Sequence, residues 1–247
     1  MTKKNTEKIF GLHAVRQVFK NDFSRVMELW VQQELHSARL QALLKQAEQQ
    51  GIAIQSVPKK TLDSLSDNGH HQGIVIRCKA RPQSTLEEIL ASKTVPAFLL
   101  VLDEVQDPHN LGACLRTADA AGIDAVIVPK NQACQLTATV RQVASGAADS
   151  VPLVQVTNLA RTLRWLQDRG VWLVGTDAES QSSLFDSSLT GSLALVLGAE
   201  GRGLRRLTRE TCDVLVRIPM SGTVESLNVS VAAGVCLYEA VRQRSRR

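Results

Sequence analysis

The amino-acid sequence predicts an α/β protein whose C-terminal domain contains a mostly parallel sheet and whose N-terminal domain is a smaller α/β unit. Over residues 97–247, short and wholly apolar runs alternate with segments of helical spacing, which is typical of a parallel sheet covered on both faces. A polar stretch with two prolines at 81–96 indicates a linker. The net charge changes at the same position. Residues 1–80 contain 12 Lys and Arg residues and 7 Asp and Glu residues, whereas residues 81–247 contain 17 Lys and Arg residues and 17 Asp and Glu residues.

The N-terminal domain, residues 1–80, alternates between helix and strand patterns. Helical spacing covers Gly11 to Lys20, Ser37 to Gln50 and Lys59 to Leu65, and strand patterns cover Val26 to Val31, Ile52 to Val57 and Gly73 to Cys78. The segment His70-His71-Gln72-Gly73 is either an RNA contact or an ordinary surface turn, since adjacent histidines are a poor metal-binding pair. These patterns predict a compact α/β domain.

The C-terminal domain, residues 97–247, follows a linker in which Thr85 to Ala91 has weak helical spacing. Six apolar runs predict strands at Phe98 to Leu102, Ala125 to Val128, Leu153 to Val156, Val171 to Gly175, Leu193 to Leu197 and Val214 to Ile218. The intervening segments predict helices at Leu111 to Ala121, Leu136 to Ala147, Leu159 to Arg169 and Gly201 to Arg209. Ligands of such a sheet bind at the carboxyl ends of its strands, and three polar motifs fall there.

Composition argues against several classes of protein. The start, MTKKNTEKIF, is polar rather than a signal peptide, and no apolar run approaches the roughly 18 residues of a membrane span, so we expect a cytoplasmic protein. The five cysteines form no C-x-x-C pair, which predicts reduced thiols and argues against a zinc site. A basic domain beside a neutral one suggests that the first holds a polyanion and the second does chemistry, although an ordinary solvated surface also fits the charge. Aromatic residues make up 4% of the chain, which argues against a base-stacking platform.

The first polar motif, Asp103 to Thr117, follows the first predicted strand of the C-terminal domain. After a turn with an Asp-Pro pair, we expect a helix to open at Leu111 with Asn110 as its N-cap. Arg116 then stands among Leu, Ala and Cys residues, where a guanidinium needs an anionic partner. That partner is either Asp119, three residues further along the helix, or a bound ligand.

The second motif, Leu195 to Leu204, reads LVLGAEGRGL and carries glycines at 198, 201 and 203. Glycine lets backbone amides approach a ligand closely, and the start of the following helix favours anions. The glycine spacing is not the dinucleotide fingerprint G-x-G-x-x-G. Glu200, between the glycines, is either a functional carboxylate or an ordinary first-turn acid on the helix dipole.

The third motif, Ile218 to Ala232, reads IPMSGTVESLNVSVA. Pro219 ends sheet pairing and a polar turn follows it. The segment Leu227 to Tyr238 predicts a helix that is apolar on nearly every face and therefore buried all round. Ser226 and Asn228 lie at its start, where they are either functional groups or simply an N-cap and a first-turn residue.

Together, the segments DPHNLGACLRT, LGAEGRGL and IPMSGTVESLNVSVA resemble the three motifs of the SpoU branch of the SPOUT RNA methyltransferases. Residues 9–80 look like the family's substrate-binding domain, which is similar to the ribosomal protein L30e, so the resemblance covers essentially the full chain. The segments IFGLHAV, HQGIV and LYEAVRQRS look most like the bacterial type that methylates a guanosine ribose of large-subunit (23S) ribosomal RNA.

This resemblance implies a deep trefoil knot, formed where the chain from Leu197 to Leu227 threads through a loop. It implies that S-adenosylmethionine, without a metal, is bound in the knot by backbone groups near Gly198, Ile218 and Leu227. The implied reaction is methyl transfer to a ribose 2′-hydroxyl of ribosomal RNA, in an assembly precursor. The implied active site, near a homodimer interface built partly from the last helix, consists of Asn110, Arg116, Glu200, Ser226 and Asn228.

Other functions stay open at this point. One is a transfer-RNA ribose methyltransferase of the same branch, and another is a non-catalytic RNA-binding assembly factor that retains the fold. The intact residues Asn110, Arg116 and Asn228 argue against the second. A nicotinamide oxidoreductase is disfavoured by the glycine spacing.

Overall fold

The computed structural model describes residues 6–35, 37–79 and 84–245. The chain forms two compact units, Met1–Pro82 and Gln83–Arg247. Within the described ranges, no helix is long and apolar enough to cross a membrane.

The first unit is built on a four-stranded sheet. Its strands are β1 (Thr6–Phe10), β2 (Val26–Gln32), β3 (Ala53–Val57) and β4 (Ile74–Lys79), and its helices are α1 (Leu12–Asn21), α2 (Ala38–Gln49) and α3 (Lys59–Leu65). The strand order is β1-β4-β2-β3, in which β2 and β3 run parallel and β4 pairs antiparallel with β1 and β2. Leu29 and Ile76, both fully buried, pack with α1 and α2 in one apolar cluster. The sequence patterns did not predict β1. Only Ile9 of this strand is buried, so the strand has no alternating apolar pattern.

The second unit is built on a six-stranded sheet. Its strands are β5 (Phe98–Asp103), β6 (Ala125–Pro129), β7 (Leu153–Val156), β8 (Trp172–Thr176), β9 (Leu193–Gly198) and β10 (Val214–Val216). The strand order is β10-β8-β9-β5-β6-β7, and each neighbouring pair is parallel. The predicted parallel sheet is therefore confirmed, and the loops at its carboxyl edge carry the three polar motifs.

Helices cover both faces of this sheet. They are α4 (Leu86–Ala91), α5 (Pro108–Ala121), α6 (Ala138–Ala144), α7 (Ala147–Ser150), α8 (Leu159–Gln167), α9 (Arg206–Thr211) and α10 (Val229–Arg244). Alternate residues of β5 point to opposite faces. Leu100 and Leu102 join the apolar cluster of α5, α6 and α10, whereas Leu99 and Val101 join that of α4 and α8.

Several predicted helices have different bounds in the structure. The predicted helix Leu136 to Ala147 is divided into α6 and α7, because Ser145 and Gly146 both take left-handed backbone angles. The predicted helix Gly201 to Arg209 begins only at Arg206, because 201–205 form a loop. Of the predicted linker 81–96, residues 81–83 lie outside the described residues. Residues 86–91 form α4, which is capped by a capping box and buries Leu86 and Ile89 on the sheet.

Candidate active site

The carboxyl ends of β5, β9 and β10 bring the three polar motifs to one edge of the sheet. The loops after β8, β9 and β10 and the start of α10 enclose a cavity of about 850 Å³. Gly198, Ile218 and Leu227, the three residues predicted to contact a cofactor, all line this cavity, and so does Ser226. Ser226 is exposed and does not cap the following helix, contrary to the simpler reading of the sequence.

Gly198 is required by the protein's own backbone rather than by a ligand. A Cβ atom at this position would lie 2.0 Å from the carbonyl carbon of Gly203 and 2.3 Å from the amide nitrogen of Leu204. The loop folds back tightly here, and the Gly203 amide donates a hydrogen bond to the carbonyl of Ala199 over 2.9 Å. Gly201 and Gly203 both have positive φ, which glycine adopts without strain. The glycines of the second motif therefore shape one wall of the cavity.

One side chain, Asn228, connects all three motifs. Its Nδ2 donates to Oδ1 of Asn110 at 3.0 Å and to Oε2 of Glu200 at 3.3 Å. Its Oδ1 caps α10 by accepting from the backbone amide of Ser230 at 2.9 Å and from the Ser230 hydroxyl. The cap fixes the orientation of the Asn228 amide, so that its donor side faces the oxygens of Asn110 and Glu200.

The start of α5 differs from the prediction, and the difference places Asn110 in the site. Asp107 rather than Asn110 is the N-cap, and its carboxylate accepts from the amide of His109 at 2.9 Å. Pro108 occupies the first helical position, where its fixed φ and missing N–H favour a helix start. Because the helix opens three residues earlier than expected, the Asn110 side chain is free to meet Asn228.

A smaller cavity of about 250 Å³ adjoins the larger one. Asn110 and Glu200 both line it, and it shares Ala199, Glu200, Arg202 and Val229 with the lining of the larger cavity. Two adjoining cavities with Glu200 at their common wall can hold two reacting molecules side by side.

Arg116 does not join this group within one chain. It is exposed and lines neither cavity, and among the described residues it has no ion pair. It lies six residues after Asn110, which is about 9 Å further along α5 and roughly 120° around the helix. Asp119, the alternative partner that the sequence offered, accepts a hydrogen bond from the Ser150 hydroxyl instead.

The sequence patterns missed an ion pair that supports the site. Asp103, fully buried at the end of β5, accepts from Arg205 through Nε at 2.8 Å, through a terminal guanidinium nitrogen at 2.6 Å and through the backbone amide at 3.1 Å. This pair closes the glycine loop of the second motif onto the first motif. No spacing rule could have indicated it, because the two residues are 102 positions apart.

We expect Arg205→Ala to lower the free energy of unfolding by about 3 kcal/mol, because it leaves the Asp103 carboxylate buried and unpaired. Arg206→Ala is the matched control, since Arg206 forms an exposed helical pair with Glu210 that is worth about 0.5 kcal/mol or less. Urea unfolding of the two variants measures the difference. Equal loss of stability in both would contradict a supporting role for the buried pair.

Among the described residues, no group of three or more His, Cys, Asp or Glu side chains is placed to hold a metal ion. All five cysteines are free thiols, and burial raises the pKa of Cys114 and Cys236 to about 12. Such thiols are not thiolates near neutral pH and are poor nucleophiles.

A parallel sheet whose carboxyl edge joins a backbone-lined cavity to hydrogen-bonded amide and carboxylate side chains defines an enzyme of the cofactor-binding α/β class. The chain belongs to the SpoU rRNA methylase family, whose model matches residues 97–238. The model for RNA 2′-O ribose methyltransferase substrate binding matches residues 8–84. The resemblance stated from the sequence motifs is thereby confirmed.

Relatives of known name match over nearly the whole chain. The 23S rRNA (guanosine-2′-O-)-methyltransferase RlmB of Shewanella oneidensis is 55% identical over 98% of this chain and 99% of its own length. The RlmB protein of Escherichia coli K12 is 54% identical over 97% of this chain and 100% of its own length. Among solved structures, the SpoU methyltransferase AviRb from Streptomyces viridochromogenes, in complex with AdoMet, superposes with a TM-score of 0.83 at 26% identity. It covers 98% of this chain and 92% of AviRb.

Proposed function

We propose that this protein transfers a methyl group from S-adenosylmethionine to the ribose 2′-hydroxyl of a guanosine in 23S ribosomal RNA. The observation that carries this function is the Asn228 side chain, which joins the three family motifs beside two adjoining cavities. Sequence identity of 55% to an RlmB protein over nearly full length supports the choice of RNA and nucleotide. The substrate-binding match at residues 8–84 supports an RNA rather than a small-molecule acceptor.

The residues of the larger cavity suit S-adenosylmethionine. The volume of about 850 Å³ lies within the usual range for small-molecule sites. Leu197, Ile218 and Leu227 offer hydrocarbon for a purine ring together with backbone donors and acceptors for its edge. When bound, this cofactor supplies an electrophilic methyl group on a sulfonium, so no protein nucleophile or metal is needed.

The side chains beside the cavity orient the acceptor and take up its proton. A ribose hydroxyl loses its proton as it attacks a methyl group, so the site needs a proton acceptor or a strong polarising field. Asn110 and Asn228 are fixed by their mutual hydrogen bond and can orient the hydroxyl. The Glu200 carboxylate, 3.3 Å from Nδ2 of Asn228, or a phosphate oxygen of the RNA is the acceptor in our proposal. Ser226, on the wall of the larger cavity, is proposed to contact the same ribose.

We propose a homodimer that covers the outer face of α10. The helix was expected to be buried all round, but Val231 and Tyr238 are 52% and 51% exposed, one beneath the other on the same face. Such apolar exposure on a helix is typical of an interface. Arg116 lies on the exposed face of α5, the helix against which α10 packs. In this proposal, a second chain that covers α10 lies next to Arg116. Arg116 then contributes to an active site at the interface of the two chains.

We also propose the trefoil knot and the L30e-like character of the first unit. The knot is supported by contacts of the C-terminal chain with both parts of the β8–β9 connection. Before α10, the Arg217 amide donates to the carbonyl of Ser182, and near the end of α10 the Gln243 side chain bonds Ser187 and Leu189. The L30e-like character is supported by the mixed four-stranded sheet with its three helices.

Transfer of labelled methyl groups from S-adenosylmethionine to purified RNAs tests the proposed function. We expect deproteinised 23S ribosomal RNA, which stands in for an assembly precursor, to accept label in its guanosine riboses, and transfer RNA to accept none. Label in transfer RNA alone would instead favour a tRNA enzyme of the same branch. Absence of label in both RNAs, with intact RNA binding, would indicate an assembly factor without catalytic activity.

A further inference from the structure

Helix α1 of the first unit carries a row of basic side chains on its outer face. Val15, Val18 and Phe19 are buried against the sheet, whereas His13, Arg16 and Lys20 are exposed. These three exposed residues, here called the basic stripe, follow the spacing i, i+3, i+7. On an α-helix they lie within an arc of about 60° and extend over about 10 Å.

No acidic residue of α1 balances this charge. Each of the other two helices of the unit contains an acid at helical spacing after a lysine, Glu48 after Lys45 in α2 and Asp63 after Lys59 in α3. Within the described residues, the side chains of the basic stripe make no ion pair or hydrogen bond. The acids that flank α1, Glu7 and Asp22, both pair with Arg25 instead.

The loop His70-His71-Gln72-Gly73 contacts the start of α1, the helix that carries the basic stripe. The His71 ring is buried, with Nε2 at 3.0 Å from the Asp63 carboxylate and Nδ1 accepting from the Gly73 amide at 3.0 Å. The Gln72 side chain accepts from the amide of Leu12 at 2.9 Å, which fastens the loop to the first turn of α1. His70, the exposed member of the pair, lies next to the residue that precedes α1, since its backbone carbonyl is 3.5 Å from the position of a Cβ atom on Gly11. The loop is therefore anchored through the buried His71 ring, while His70 and Gln72 are exposed.

We propose that the basic stripe binds consecutive backbone phosphates of the RNA substrate. This inference rests on the proposed function, because it assigns a surface to the binding of that RNA. Measured along the axis of a duplex, the phosphates of one strand recur about every 3.4 Å, so a stripe of about 10 Å that runs parallel to this axis spans about three of them. The two permanent cations of the row, Arg16 and Lys20, suit phosphate oxygens, so the row holds the RNA without reading its sequence. A membrane surface fits poorly, since the apolar side of α1 is buried in the protein and cannot insert.

Charge removal at the basic stripe, compared with equal charge removal elsewhere on the same unit, tests the inference. The test variant of the full chain is Arg16→Ala with Lys20→Ala. The matched control is Lys59→Ala with Lys60→Ala, which removes the same charge from two exposed residues of α3. Filter binding to a 23S ribosomal RNA transcript over a salt series gives the affinity and its salt dependence.

We expect the stripe variant to bind RNA at least about tenfold more weakly at moderate salt, with a salt slope smaller by about 1 to 2, because two phosphate contacts are lost. The control should stay within about twofold of wild type. Equal weakening in both variants, or wild-type affinity and slope in the stripe variant, would overturn the inference. If the wild-type protein methylates no guanosine while the two variants still differ in RNA affinity, the proposed function is contradicted. RNA binding by the basic stripe is supported in that case.

Discussion

Replacement of Arg116 with alanine is expected to slow methyl transfer by at least about 100-fold, near 2.7 kcal/mol, in a single-turnover measurement. The reason is electrostatic. A planar guanidinium can fix a phosphate beside the target ribose and so hold the 2′-hydroxyl in line with the methyl group. Arg116 is exposed and unpaired among the described residues, so it is available to an anionic ligand without first breaking a contact within its own chain.

A role for Arg116 as the general base is the competing explanation. An arginine side chain keeps its proton in proteins, and deprotonating it near neutral pH costs on the order of 7 kcal/mol. We therefore expect Arg116→Lys to retain part of the activity with a pH optimum close to that of wild type. Arg164→Ala, at an exposed arginine on α8, is the control for loss of one positive charge. Single-turnover rates across pH would identify Arg116 as the base if a rate-controlling ionisation vanished in both Arg116 variants and persisted in Glu200→Gln.

Gly198→Val is expected to weaken binding of S-adenosylhomocysteine by more than about 100-fold, near 2.7 kcal/mol. The sequence alone suggested that glycine at this position lets backbone amides approach a ligand closely. In the structure the added side chain meets the backbone of Gly203 and Leu204, at 2.0 to 2.3 Å from the first added carbon. The loop must move as a whole, and Glu200 and the wall of the larger cavity move with it.

Calorimetric titration of Gly198→Val with S-adenosylhomocysteine measures this loss. Gly222→Ala is the control, because a Cβ atom at Gly222 meets nothing within 4 Å and its φ needs no glycine. We expect the control to bind with wild-type affinity. A Gly198→Val protein that unfolds at the same urea concentration as wild type and binds with near wild-type affinity would show that the loop is not part of the cofactor site.

The fold class followed from the sequence because parallel strands buried on both faces leave continuous apolar runs, such as Leu99 to Leu102. Helix starts were less predictable. Both Asp107 and Asn110 are suitable N-cap residues. Asp107 is the N-cap in the structure, because the fixed φ of Pro108 favours the first helical position. At α10, Asn228 rather than Ser226 caps the helix, which moves its start by two residues.

The candidate site was predictable as a set of residues but not as an arrangement. Periodicity placed Asn110, Glu200 and Asn228 at one edge of the sheet, and only the folded chain shows that one amide joins all three. It could not reveal that Arg116 faces outward, because the neighbouring Leu115 and Ala118 are buried on the same helix. The pair of Asp103 and Arg205 escaped detection because tertiary contacts between distant residues leave no local pattern.

The central claim is that this protein methylates a guanosine ribose of 23S ribosomal RNA. Mapping of 2′-O-methylated riboses in 23S ribosomal RNA and transfer RNA from cells with and without the protein tests that claim most directly. We expect one guanosine to lose its 2′-O-methyl group in the deletion strain and to regain it with the wild-type gene but not with Asn228→Ala. A methylation map that is identical in both strains, or a lost methyl group on a nucleotide of transfer RNA, would contradict the account.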